Sequence, residues 1–166
     1  RQPLFRIRKV DSRLYVVVTS NTGLAGAYNA NTLKNLTTAL KRDRQDKVKS
    51  HVVTIGSKGA QFARRLSDVE LVAAYPPFSD QPSANEVRPI LNNVIELYKT
   101  EKVDEVSILY TQFKSTVLQE SVSQQLLPAP LIENDTPESM ISNFEPDVET
   151  VVDQTATRLI EAQIWQ

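Results

Sequence analysis

Residues 14–29 read LYVVVTSNTGLAGAYN. An unbroken apolar run, Leu14-Tyr15-Val16-Val17-Val18, passes through Thr19-Ser20-Asn21-Thr22 to Gly23 and Gly26, and a helix-spaced segment follows. A strand without polar alternation is one buried on both faces, as in a parallel sheet covered by helices on either side. Strand, glycine turn and helix in that order make the first unit of a doubly wound α/β fold. The same order puts the turn where a nucleotide loop would lie. Gly23-Leu24-Ala25-Gly26 is therefore either a phosphate cradle or a tight turn.

The rest of the chain repeats the alternation. Asn31–Arg44 carries Leu33, Leu36 and Leu40 at helical spacing and ends in the charged run Lys41-Arg42-Asp43-Arg44. Val52–Ile55 predicts a second strand, Ser57 the cap of a helix over Lys58–Leu66, and Val69–Ala74 a third strand stopped by Pro76-Pro77. Val87, Ile90, Leu91, Val94, Ile95 and Tyr98 form one apolar helical stripe. Ser83 and Glu86 have capping-box spacing, but Pro89 would then fall at the sixth helical position, so the helix is expected to start near Asn85 or to kink.

Val106–Phe113 predicts a fourth strand and Thr116–Leu127 an antiparallel one beside it. Pro128 and Pro130 open a polar, acidic loop to about Asn143. Pro146 starts a last helix with the stripe Val148, Val151, Val152, Thr155, Leu159 and Ala162. The predicted architecture is α/β: a mostly parallel, doubly wound, Rossmann-like sheet with one antiparallel hairpin strand and helices on both faces. Residues 1–147 form one globular domain and 148–166 the start of a C-terminal helix.

With 166 residues, 40% hydrophobic, the chain suits one domain with a real core. The absence of cysteine excludes a disulfide scaffold, thiolate metal sites and a cysteine nucleophile. No apolar stretch approaches the roughly 20 residues that cross a bilayer. The net charge of −1 is unevenly spread. Residues 1–114 hold 18 basic and 11 acidic side chains, whereas residues 115–166 hold 9 acidic ones and a single basic one, Arg158. Such a split is either two faces of one solvated domain or two partner surfaces of opposite sign.

A dinucleotide fingerprint needs three glycines at G-x-G-x-x-G and an acidic residue about 20 positions on. Here there are two, spaced G-x-x-G, with no P-loop lysine after them, so a structural turn is the better reading. Gly56-Ser57-Lys58-Gly59 repeats the strand–glycine–helix setting without P-loop spacing and reads the same way. His51, the only histidine, has no evident catalytic partner. Glu133, Asp135 and Glu138 lack the pattern of a calcium loop. The basic run Lys41, Arg42, Arg44, Lys47 and Lys49 is broken by Asp43 and Asp46 and has no interleaved aromatics, so it reads as a solvated helix end rather than a nucleic-acid surface. The residues alone describe an interaction module without catalytic machinery. No cofactor or metal is expected.

Five ordered segments carry a resemblance. Thr19–Asn29 is similar to T-S-D-R-G-L-C-G-G-[YF]-N, Ile55–Gly59 to I-G-x-K-G, Leu109–Thr116 to Y-x-x-F-x-S, Gln125–Pro128 to L-L-P, and Phe144–Asp147 to [YF]-E-P-D. Together, over nearly the whole chain, they resemble the gamma subunit of F-type ATP synthase. The resemblance implies the globular foot of the central rotor stalk, with residues 148–166 running into a coiled coil whose long helices lie outside this sequence.

It also implies a non-catalytic subunit that passes torque between a proton-driven membrane ring and the alpha/beta catalytic head. Its partners would be the epsilon subunit, the alpha/beta ring and the membrane c-ring. Asn21, Thr22, Gly23, Leu24 and Gly26 would form a turn facing beta. Glu133, Asp135, Glu138, Ser142, Asn143 and Phe144 would lie in a loop facing the ring and epsilon. Asn21 stands where the family pattern has Asp, Thr22 where it has Arg, and Ala25 where Cys is frequent. The implied location is peripheral, on the cytoplasmic face of a bacterial plasma membrane or, alternatively, the matrix side of the mitochondrial inner membrane. A small Rossmann-like nucleotide-binding enzyme and a standalone adaptor are the alternatives.

Overall fold

The computed structural model describes residues 8–19, 26–79, 82–113, 119–128, 150 and 152–157. Eight elements follow in the order β1 (Ser12–Val18), α1 (Gly26–Gln45), β2 (Lys49–Ile55), α2 (Ser57–Arg64), β3 (Glu70–Tyr75), α3 (Ala84–Lys99), β4 (Glu105–Phe113) and β5 (Gln119–Leu127). They build one five-stranded sheet in the order β3-β2-β1-β4-β5. β1 pairs in parallel with β2 and β4, β2 pairs in parallel with β3, and β5 runs antiparallel to β4. The predicted parallel sheet with one antiparallel hairpin strand is the one observed.

The crossovers explain the layers. From β1 to β2 to β3 the chain steps one way across the sheet, and from β3 to β4 it returns past β1. Right-handed crossovers then put α1 and α2 on one face and α3 on the other. The alternation of β1 fits this division. Tyr15 and Val17 pack with Leu36 and Leu40 of α1 and Ala63 of α2. Leu14, Val16 and Val18 pack with the whole α3 stripe, Val87, Ile90, Leu91, Val94, Ile95 and Tyr98. The continuous apolar run is thus the central strand, dry on both sides. Each of its fully buried side chains contributes roughly 1.5–3 kcal/mol of transfer free energy.

Several boundaries differ from the sequence reading. Helix α1 begins at Gly26, not Asn31, because its inward positions at either end are polar. Asn29, Thr32, Leu36, Leu40 and Asp43 are all buried, at helical spacing, and only the middle of that stripe is apolar. Ser57 does not cap α2: it is the first helical residue, and Gly56 stands at the cap position. Helix α3 starts at Ala84 and runs through Pro89 to Lys99. The Pro89 penalty is outweighed by the six buried stripe residues and by Glu86, which accepts N–H bonds from Ser83 at 3.2 Å and Ser79 at 2.8 Å. Hydrogen bonds from Ser79, chiefly its hydroxyl, hold the Glu86 carboxyl below its ordinary pKa. Of the last predicted helix, residues 152–157 are described and helical, with Val152, Thr155 and Ala156 buried. Val148, Val151, Leu159 and Ala162 lie outside the described residues.

Candidate functional site

Strand order 3-2-1-4 reverses direction between β1 and β4, and the carboxyl ends of these strands are where open α/β sheets hold ligands or partners. The turn after β1 starts there. Its base is fixed by the turn after β2. Thr19 N–H donates to the Ile55 carbonyl at 2.8 Å, and Thr19 Oγ1 accepts the Gly59 N–H at 2.8 Å. Gly56 N–H donates to Tyr75 O at 2.9 Å.

Gly56 has φ +105, and a Cβ there would stand 2.0 Å from the Thr19 carbonyl oxygen. Only glycine lets the two turns approach so closely. The Gly56-Ser57-Lys58-Gly59 pattern is thereby accounted for by packing. One of the amides an anion would need at the start of α2, that of Gly59, is already taken by Thr19.

The first half of α1 is tied to the β4–β5 hairpin by polar side chains. Thr32 Oγ1 lies 3.1 Å from Thr111 Oγ1 on β4 and 3.5 Å from Ser121 Oγ on β5, and Asn35 Nδ2 donates to Ser121 Oγ at 2.8 Å. Thr32 and Thr111 are buried. This small polar seam fixes α1 over the hairpin.

The opposite end of the sheet holds a charged network that the sequence reading missed. Asp43 is fully buried. Its Oδ1 accepts from Arg13 Nη1 at 2.6 Å, and its Oδ2 accepts from Tyr15 Oη at 2.7 Å and Ser50 Oγ at 2.9 Å. Arg13 Nε donates to Glu105 Oε1 at 2.6 Å. Burial, reinforced by Asp43, pushes the Tyr15 phenol well above its ordinary pKa. Burial pulls the Arg13 guanidinium down, but its hydrogen bonds to Asp43 and Glu105 more than offset this and keep it charged. Asp43 therefore does not interrupt a solvated basic run. It belongs to the inward stripe of α1, three residues after Leu40, and that spacing was the available signal. His51 also has a partner: its Nδ1 lies 2.9 Å from Glu70 Oε1 across β2 and β3.

Among the described residues no group of three or more metal-ligating side chains occurs, and no helix is long and apolar enough to cross a membrane.

The model of the ATP synthase family matches residues 1–166. ATP synthase gamma chains of Staphylococcus aureus, strains JH9 and Newman among them, are 34% identical over 166 residues, covering 98% of this chain and 57% of theirs. The chain belongs to the ATP synthase family. It spans 57% of the length of these curated gamma-chain relatives.

Solved structures share this fold. A chain of the Euglena gracilis mitochondrial ATP synthase OSCP/F1/c-ring assembly matches with a TM-score of 0.66 at 17% identity, covering 94% of this chain and 57% of that one. A chain of the Tetrahymena thermophila mitochondrial ATP synthase central stalk and c-ring matches with a TM-score of 0.55 at 18% identity, covering 95% and 68%. Of the turn residues named from the sequence, Gly26 opens α1, whereas Asn21, Thr22, Gly23 and Leu24 lie outside the described residues. Glu133, Asp135, Glu138, Ser142, Asn143 and Phe144 also lie outside them.

Proposed function

We propose that this chain is the globular foot of an ATP synthase central stalk. It would transmit torque between a proton-driven membrane ring and the alpha/beta catalytic head, and would be non-catalytic by itself. The match to gamma chains along the whole sequence carries this reading. The partners are then the alpha/beta ring, the c-ring and the epsilon subunit. The location is peripheral, at the cytoplasmic face of a bacterial plasma membrane, with the matrix side of the mitochondrial inner membrane as the alternative. The internal use of the second glycine turn and of the buried Asp43 network supports a structural rather than a chemical role for these polar groups.

Within this reading, Asn21, Thr22, Gly23, Leu24 and Gly26 form the turn that meets a beta subunit, resting on the base made by Thr19 and Gly56. Thr22 in place of the family's Arg removes one charge from that contact. The acidic stretch meets basic loops of the ring or of epsilon through Glu133, Asp135 and Glu138. Reversing these three charges is expected to reduce assembly of the full-length protein with the ring and to lower ATP-driven proton pumping. Unchanged assembly and pumping would remove the acidic contact from the proposal. Calorimetry with ATP on the isolated chain is expected to show weak or no binding. Tight binding abolished by Gly26→Trp would instead favour a nucleotide-binding enzyme.

A further inference from the structure

Helix α3 holds the chain at two separate places. At its C-terminal end it is met by Arg8, which precedes β1. Arg8 Nε donates to Asp104 Oδ1 at 3.1 Å, and Nη2 donates to the main-chain carbonyls of Tyr98 at 3.0 Å and Val103 at 2.7 Å. The guanidinium carbon also lies 4.1 Å from the centroid of the buried Tyr98 ring. Asp104 Oδ2 accepts the N–H groups of Asp11 at 2.8 Å and Ser12 at 3.1 Å. One guanidinium and one carboxylate thus tie residues 8–12 to the last turn of α3 and to the connection after it.

Nearer its N-terminal end, Arg88 Nη2 donates to Asp153 Oδ1 on the helical segment 152–157. Val152 and Ala156 of that segment lie in the same core cluster as Val87, Ile90 and Leu91.

The two kinds of contact do different mechanical work. Apolar burial is non-directional and holds the two helices together through closely packed side chains. Charge-assisted hydrogen bonds from a planar guanidinium are directional and fix register. The Arg88–Asp153 pair is about half exposed, so it adds little to stability and its effect is positional. Two directional attachments on one helix resist a twist that a single one does not. Residues 88 and 98 stand roughly 15 Å apart along the axis, at 1.5 Å per residue.

We infer that α3 is the torque-bearing anchor of the domain: Arg8 with Asp104 fixes the chain that enters β1, and Arg88 with Asp153 fixes the helical segment 152–157. The torque part rests on the rotor reading, whereas the two attachments do not. Arg8, Asp104, Arg88 and Asp153 are positioning residues and take no part in chemistry.

The test has two arms, both on the full-length protein. In the first, Asp153→Asn is expected to speed amide exchange across 152–157 about two- to threefold, with exchange in α3 and the melting temperature unchanged. In the second, the assembled complex in vesicles is driven with ATP, and proton uptake is compared with ATP hydrolysis. Arg88→Gln and Arg8→Gln are each expected to lower that ratio severalfold. The exchanged pair Arg88→Asp with Asp153→Arg is expected to restore the loss caused by Arg88→Gln. A wild-type complex that pumps, with variants that pump equally well, overturns the anchor while leaving the rotor reading intact. Unchanged exchange at 152–157 also overturns it. A wild-type complex that hydrolyses ATP without pumping overturns the rotor reading, and the torque claim with it.

Discussion

Replacing Asp43 by Ala is expected to destabilise the chain by about 3–5 kcal/mol, seen as a lower denaturant midpoint at unchanged slope. The carboxylate is fully buried and accepts from Arg13, Tyr15 and Ser50. Its removal leaves a phenol and a hydroxyl without their acceptor in a dry site, and strips one of two carboxylates from Arg13, whose side chain is only 18% exposed. Domains of this size are stable by roughly 5–15 kcal/mol in all, so this single change takes a large share. Asp43→Asn keeps one acceptor oxygen of the two and is expected to fall between wild type and Ala. A loss below about 1 kcal/mol for Ala would mean that the network is not a structural keystone.

The same network has a pH signature at the alkaline end. Burial, then Asp43, raises the Tyr15 pKa in the folded state above its ordinary value. A group raised on folding contributes stability that is fully present below the unfolded pKa, near 10 for tyrosine, and is lost as the pH climbs towards the folded value. Stability is therefore expected to fall from about pH 10 upward. Tyr15→Phe is expected to flatten that decline at a cost of about 1 kcal/mol at neutral pH.

Gly56→Ala is expected to cost at least about 3 kcal/mol. Two terms add. A φ of +105 strains any residue with a Cβ, and that Cβ would sit 2.0 Å from a main-chain oxygen, which has no rotamer by which to withdraw. Either the Thr19 N–H bond to Ile55 or the Gly59 N–H bond to Thr19 must break to make room. Gly59 supplies the control. Its Cβ would meet Thr19 Oγ1 at 3.1 Å, and the helix propensity gained from Ala, roughly 1 kcal/mol, offsets part of the crowding. Gly59→Ala is expected to stay within about 1 kcal/mol of wild type. Equal losses at the two positions would contradict the interlocked-turn geometry.

The contrast between these sites shows which parts of the fold the sequence exposes. Leu14–Val18 is legible as a central strand because both of its faces are apolar, and α3 is legible because six apolar residues share one helical face. Helix α1 is half hidden. Its inward stripe begins with Asn29 and Thr32 and ends with Asp43, and polar letters there resemble a solvated surface until their partners on other strands are known. Those partners are remote in sequence: Thr32 meets Thr111, Asp43 meets Arg13, and Arg8 meets Asp104.

No local period reveals such contacts, nor the register that sets His51 against Glu70. The second glycine turn is a similar case. Its strand–glycine–helix spacing is visible, but its reason, the carbonyl of Thr19, lies just past the end of another strand. The candidate contact residues were legible only through the family resemblance. The stretch Asn21–Leu24, proposed above as a contact, carries no periodicity in the sequence that would mark it.

The rotor assignment is tested most directly by watching the domain turn. A probe would be attached at an exposed α1 position such as Lys34 in the full-length protein, assembled with its alpha and beta subunits on an immobilised head, and followed during ATP hydrolysis. Unidirectional rotation of the probe, in step with hydrolysis, is the expected result. A probe that stays fixed relative to the head while hydrolysis proceeds at its full rate would contradict the assignment.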